Sequence, residues 1–175
     1  WAGTFQFTEE GVRKYCTQVK PNGIIDLAII TSTYRPGPLA AKVHEQFLEA
    51  KNNPQYVKYV NDMHREVTGQ THGFLIFQEQ IAMLAHKLGK DISLDDGNML
   101  RKVLTKKGTG KEAKVKKVLR RKFIQGCIDK GLKSGTAERL WETFEYFSGY
   151  GFNKSHAVCY SMLSYQCAWL LNYYP

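Results

Sequence analysis

The stretch Ser148-Gly149-Tyr150-Gly151-Phe152-Asn153-Lys154-Ser155-His156, with the helical pattern that follows it to Gln166, organises the rest of the chain. Its two glycines allow the backbone to bend where a side chain would clash. Asn153 and Ser155 are N-cap candidates for the helix that follows. Lys154 and His156 then lie in a first turn whose N–H groups have no helical partner, a setting that suits a phosphate. The stretch predicts a site for a phosphorylated ligand; an ordinary loop before a packed helix is the alternative reading.

Two faces of this helix can be distinguished by spacing. The first consists of small residues: Ala157, Ser161, Ser164 and Ala168. The second is bulky: Val158, Met162, Tyr165 and Trp169. A face of small residues lets another backbone or a ligand approach closely. We expect the bulky stripe to point into the core.

Length and composition indicate one folded domain. The chain has 175 residues with ordinary apolar content and no apolar run long enough to span a membrane. It opens with no basic and apolar leader and no Met, so we expect a piece of a longer protein without a signal peptide. The four cysteines form no C-x-x-C pair, which favours a reducing cytoplasm.

The net charge of +9 is concentrated in one segment. Residues 101–122 hold eleven basic side chains and one acidic one, Glu112, so the other residues are together nearly neutral. Such a patch is expected of a protein that binds phosphate backbones. The alternative is a solvated basic helix face.

Most of the chain has helical patterns. Before the glycine turn, the predicted helices cover residues 9–19, 38–50, 55–65, 78–88 and 111–130, and one more starts near 136. The spacing in 24–33 does not decide between a helix and a buried strand, and residues 72–77 are predicted to be extended. Ser93 and Asp96 resemble a capping box for a helix with four inward residues. These four are Met99, Leu100, Val103 and Leu104.

Arg35 stands on a turn that Pro36 and Pro38 make rigid. A phosphate contact and a plain surface arginine are equally good interpretations of this residue. His156 and Cys159 have the i, i+3 spacing of two metal ligands, but without a second pair nearby in sequence no zinc site is predicted.

Five ordered blocks carry a resemblance to a known family. They are FQF at 5–7, YRPGPL at 34–39, HGFLIFQEQ at 72–80, MLRKVLTKK at 99–107, and GYGFNKSH at 149–156 with the later SYQ and the final YP. In this order they resemble the bacterial C-family replicative DNA polymerases, the DNA polymerase III alpha subunits. The resemblance covers almost the entire chain.

The resemblance implies an all-α, mainly helical fold, the fingers domain of such a polymerase. Residues 1–40 would be the palm edge and the start of the fingers, and residues 41–175 the helical fingers domain. It also favours helix for 24–33. The chain has no D-x-D pair, so the catalytic aspartates and the Mg²⁺ that they bind would lie in a palm region outside it. As part of a full-length DNA-directed DNA polymerase it would serve DNA replication, and alone it would be inactive.

The same resemblance assigns roles to the basic residues. The candidates for the triphosphate of an incoming deoxynucleotide are Arg101, Lys102, Lys106, Lys107, Lys154, His156, Tyr150 and Arg35. The candidates for the nucleic-acid backbone are Lys111, Lys114, Lys117 and Arg121. Where the family often has Arg, this chain has Lys102, which keeps the charge but loses bidentate geometry. The central hypothesis is that cationic side chains from two helix ends converge on one nucleotide pocket.

The implied partners are template-primer DNA, deoxynucleoside triphosphates, the rest of the polymerase chain, a sliding clamp and other replisome subunits. No membrane is involved. The location would be a bacterial cytoplasm, whether the source is a bacterium or a virus that infects one. The alternative function is a non-catalytic helical DNA-binding module that ignores nucleotides.

Overall fold

A computed structural model of the chain describes residues 1–105, 110–149 and 151–174. Within these ranges the regular secondary structure is helical and contains no β-strand, so the all-α prediction is confirmed. The α-helices are α1 (Glu10–Val19), α2 (Ile24–Thr33), α3 (Pro36–Ala40), α4 (Val43–Asn52), α5 (Asp62–Thr68), α6 (Gln78–Leu88), α7 (Leu94–Thr105), α8 (Lys111–Asp129), α9 (Ser134–Phe147) and α10 (Lys154–Tyr173). Short 3₁₀ helices cover Pro54–Tyr56 and Gly69–Thr71. None of the described helices combines the length and apolar character needed to cross a lipid bilayer.

The chain forms two compact units. The first unit joins Trp1–Val57 to Phe152–Pro175, and the second unit is Lys58–Gly151. The predicted boundary near residue 40 separates a palm edge from the fingers. Compact units do not identify polymerase subdomains, so this boundary stays a prediction.

In the first unit, α10 packs against α2 through its small face. Ala157, Ser161 and Ser164 are buried, and the Ser164 hydroxyl donates a hydrogen bond of 2.8 Å to the carbonyl of Phe5. Small side chains let the two helix backbones approach closely, so this face supplies the packing surface.

The predicted burial of the bulky stripe on α10 is therefore wrong. Met162, Tyr165 and Trp169 are 49%, 54% and 44% exposed. Val158, the fourth residue of the stripe, is half-buried, and Ala168, predicted on the small face, is also exposed.

Two predicted helix boundaries need correction. The helix predicted over 38–50 is divided into α3 and α4, because Lys42 takes a left-handed conformation with φ 55°. The helix predicted over 55–65 is wrong: after the 3₁₀ turn the chain does not become helical again until α5. There the side chain of Asn61 accepts a hydrogen bond from the backbone N–H of His64 and starts the helix.

The second unit has an apolar core between α6, α7, α8 and α9. Phe123 and Phe144 are completely buried with ring centroids 5.0 Å apart, and Trp141 packs on both rings. At Gly126 a Cβ atom would lie only 2.2 Å from the backbone nitrogen of Lys90, so a glycine lets α8 contact the link between α6 and α7.

Helix α7 faces this core with one stripe. Leu100, Val103 and Leu104 are buried as predicted, but Met99 is 47% exposed. The prediction for Met99 is wrong because residues 100, 103 and 104 occupy the face that packs, and residue 99 lies at its edge.

Candidate functional site

The start of α7 is fixed by a reciprocal cap. The backbone N–H and the hydroxyl of Ser93 both donate to the Asp96 carboxylate, at 3.0 and 2.8 Å, and the Ser93 hydroxyl accepts from the Asp96 N–H. The backbone hydrogen bond, then the hydroxyl, hold the pKa of Asp96 below its usual value. The predicted capping box is confirmed, and it sets the position of the helix that carries Arg101.

Arg101 is half-buried and is held by a side chain from another helix. Its Nη1 donates a hydrogen bond of 2.8 Å to Oε1 of Gln78, the first residue of α6. The same amide donates through Nε2 to the carbonyl of Gly151, at 2.9 Å. Among the described residues the buried Nε of Arg101 has no hydrogen-bond partner. One neutral amide therefore links a guanidinium on α7 to the glycine turn.

Gln78 is not among the predicted site residues. It lies in the block HGFLIFQEQ, where sequence indicated only a helix start. Its partners are 23 and 73 residues away in the chain, so no local pattern identifies the contact.

Two cations of the basic helix α8 form ion pairs with acids of another helix. Lys116 contacts Glu145 at 2.9 Å, and Arg120 contacts Glu138. Both acids belong to α9. Burial raises the pKa of Glu145, but hydrogen bonds from Lys116 and Trp141 outweigh it, so the pKa lies below its usual value.

The predicted DNA-binding residues of α8 point to solvent. Lys111, Lys114, Lys117 and Arg121 are all exposed. Lys114, Lys117 and Arg121 line a groove that also contains the apolar side chains Val118 and Ile124 and the ion-paired Arg120 and Glu138. The helix thus presents an exposed cationic face beside the cations that α9 neutralises.

In the first unit, α10 starts at a side-chain cap. The Asn153 carboxamide oxygen accepts from the backbone N–H of His156 at 2.8 Å and from the Ser155 hydroxyl at 2.7 Å. The N-cap prediction for Asn153 is confirmed, whereas Ser155 lies inside the helix. Lys154 is the first helical residue and is half-buried.

Two predicted site residues meet at the ring of Phe152. The guanidinium carbon of Arg35 lies 4.3 Å from its centroid, and the imidazole of His156 lies 5.4 Å from it edge-to-face. Arg35 also donates from Nε to the carbonyl of Ser32 at 3.1 Å, and burial lowers its pKa. The His156 ring also packs against Tyr160, with centroids 4.3 Å apart and the ring planes tilted by 55°. Arg35 is therefore a packed side chain beside a cation–π ring, rather than a loose surface arginine.

The remaining predicted residues stand as follows. Lys102 is exposed on α7. Lys106, Lys107 and Tyr150 lie outside the described residues. Arg101 belongs to the second unit and Lys154 to the first, so their convergence stays a prediction.

The described part of the chain contains no group of three or more His, Cys, Asp or Glu side chains placed to hold a metal ion. The exposed Cys159 and His156 thus have no third ligand there.

Comparison with known proteins links this arrangement to one family. The family model of the bacterial DNA polymerase III alpha subunit finger domain matches residues 1–131. The chain is 37% identical over 174 residues to DNA polymerase III subunit alpha of Borreliella burgdorferi, covering 99% of this chain and 15% of the relative. It is 33% identical over 173 residues to that of Halalkalibacterium halodurans and 34% identical over 176 residues to that of Bacillus subtilis. Each of these matches also covers 99% of this chain and 15% of the relative. The chain therefore spans about 15% of the length of the curated relatives that it matches.

Proposed function

Because this chain belongs to the family of bacterial DNA polymerase III alpha subunits, we propose that it forms part of the fingers of a DNA-directed DNA polymerase. In that role it binds the incoming deoxynucleoside triphosphate and the backbone of the template-primer during DNA replication. The match over nearly the whole chain is the observation that carries the proposal.

Arg101 is the leading candidate for the triphosphate. Its guanidinium is half-buried, and its hydrogen bond to Gln78 orients it through a neutral amide. A charge-assisted contact to phosphate oxygens would stabilise the charge that develops on the leaving pyrophosphate. Lys154 at the start of α10 is the second candidate, since helix N-termini favour anions. The other candidates for the same ligand are Lys102, Lys106, Lys107, His156, Tyr150 and Arg35.

The exposed face of α8 is proposed to contact nucleic-acid phosphates. Lysine and arginine bind the backbone through charge and release counterions, and they read no base sequence there. The contacts that we propose are made by Lys111, Lys114, Lys117 and Arg121.

Catalysis requires groups that we place outside this chain. We propose that Mg²⁺ is held by palm carboxylates elsewhere in the full subunit, where it would activate the attacking oxygen and stabilise the transferred phosphate. The proposed partners are template-primer DNA, nucleotides, the rest of the subunit, a sliding clamp and other replisome subunits. A cytoplasmic location stays a prediction.

The test uses steady-state kinetics of the full-length subunit. We expect Arg101→Ala and Lys154→Ala to raise the apparent KM for nucleotide, or lower kcat, by about 10-fold or more, the typical effect of losing a charged hydrogen bond. Primer-template affinity should stay within about 2-fold, because no DNA contact is removed. The matched controls are Arg139→Ala and Lys133→Ala, two exposed cations. Unchanged kinetics in both test variants would count against the assignment.

The alternative function, a DNA-binding module without catalysis, is favoured by one observation, the exposed basic face of α8. Such a module would bind duplex DNA in a salt-dependent manner and ignore nucleotides. Titration of the full-length subunit on primer-template with a deoxynucleoside triphosphate and Mg²⁺ separates the two. Nucleotide-dependent tightening supports the polymerase, and its absence with intact DNA binding supports the module.

A further inference from the structure

We infer that Gln78 is a positioning residue for the nucleotide site: its side-chain amide fixes the Arg101 guanidinium relative to the glycine turn without neutralising its charge. This inference rests on the proposed function of Arg101. It adds a residue on α6 that makes no contact with nucleotide itself and acts through another side chain.

The orientation of the Gln78 amide is determined by its two partners. A guanidinium has only donors, so the atom facing Arg101 must be the amide oxygen. A backbone carbonyl is only an acceptor, so the atom facing Gly151 must be the amide nitrogen. The observed bonds, 2.8 Å from Arg101 Nη1 to Oε1 and 2.9 Å from Nε2 to the carbonyl, satisfy both requirements. A flipped amide would satisfy neither.

The glycine at position 151 is part of the same arrangement. A Cβ atom there would lie 2.7 Å from the ring of Phe147 and 3.0 Å from Cγ of Gln78. The turn can approach the Gln78 stem this closely because residue 151 has no side chain. The backbone of Gly151 is also tied to α9, since its N–H donates to the carbonyl of Phe147 at 3.1 Å. The residue whose carbonyl accepts from Gln78 is thus itself hydrogen-bonded to α9.

A neutral partner matters for an arginine that binds phosphate. A carboxylate at position 78 would form an ion pair with Arg101 and compete with the phosphate oxygens. An amide restricts the guanidinium to one direction and leaves its full positive charge for an anion. The buried Nε, which lacks a partner among the described residues, is a further donor of the same group.

A second glutamine on α6 provides a structural comparison. Gln80 is buried, and its amide is used entirely within its own neighbourhood: it accepts from the N–H groups of Ile76 and Phe77 and donates to Val67 and Thr71. Gln80 therefore stabilises the start of α6, whereas Gln78 contacts a candidate site residue. Because the two glutamines lie two positions apart on one helix, substitutions at each can distinguish an effect on the position of Arg101 from an effect on the stability of the fold.

The experiment is a double-mutant cycle on kcat/KM for nucleotide, with the full-length subunit and primer-template. Gln78→Met keeps the length of the side chain and removes both hydrogen bonds; we expect kcat/KM to fall about 10-fold, with primer-template affinity within about 2-fold. In an Arg101→Ala background the same substitution should change kcat/KM by less than about 2-fold, because the side chain that it positions is gone. Gln78→Glu, which retains the acceptor but adds a charge, should be at least as impaired as Gln78→Met.

The controls distinguish the possible failures. Gln18→Met, at an exposed position of α1, should leave kcat/KM unchanged. Gln80→Met should lower the melting temperature, and any kinetic effect that it has should persist in the Arg101→Ala background. If Arg101→Ala is impaired but Gln78→Met is not, or if Gln78→Met is equally harmful in both backgrounds, the positioning role is overturned and the proposed function stands. If Arg101→Ala by itself has normal kinetics, the positioning role is overturned; if Lys154→Ala is normal as well, the proposed function is overturned too.

Discussion

Two pairs of cations on α8 allow a matched test of DNA binding. Lys117 and Arg121 are exposed, whereas Lys116 and Arg120 contact acids of α9. Each pair consists of one lysine and one arginine four positions apart, so replacing either pair by alanine removes the same charge from the same helix. Only the first pair is predicted to contact phosphates.

The expected magnitude follows from counterion release. Each phosphate contact contributes about −0.9 to the slope of log K against log [salt], so loss of two contacts should make the slope less steep by about 1.8. Between about 50 and 200 mM salt, the wild-type subunit should therefore lose about 12-fold more affinity than the variant lacking Lys117 and Arg121. The variant lacking Lys116 and Arg120 should keep the wild-type slope.

The assay is fluorescence anisotropy of a labelled primer-template with the full-length subunit at several salt concentrations. Circular dichroism of each variant checks that the helical content is retained. Equal slopes for the wild type and the variant lacking Lys117 and Arg121 would refute the phosphate contacts. Equal losses in both double variants would show that net charge, and not the exposed face, determines binding.

Two further predictions concern the first unit. Burial raises the pKa of Tyr15 to about 12, although the hydrogen bond with Thr33 opposes the shift. Because the folded state holds this phenol neutral, its stabilising contribution is complete below about pH 10 and is lost as pH rises toward 12. Between pH 9 and 11, the free energy of unfolding measured in urea should therefore fall by about 1.4 kcal/mol less in Tyr15→Phe than in the wild type. An identical alkaline loss in both proteins would contradict this. Asn153→Ala should weaken the cap on α10 by about 1 kcal/mol and speed exchange of the His156 amide about 5-fold, whereas Asn153→Asp should retain the protection. The measurement is hydrogen exchange with mass spectrometry. Equal exchange in the wild type and both variants would disprove the cap.

Much of the fold could be predicted from local sequence. The bounds of α6 and the Ser93–Asp96 cap follow from signals within a few residues, because helix periodicity and capping act between positions three or four apart. The helix predicted over 55–65 is wrong because the helix in this region starts later, at the side-chain cap of Asn61. Charge clustering on α8 was also visible in sequence, since it depends on composition alone.

Residue types and their spacing along the chain are enough to predict the helical class, most helix bounds and the basic segment. Three features could be read only from the packed helices: the buried face of α10, the paired cations of α8, and the link from Arg101 through Gln78 to Gly151. These features depend on contacts between residues distant in the chain. Such contacts arise when whole helices pack, and periodicity within one helix identifies its faces without saying which of them a neighbour will cover.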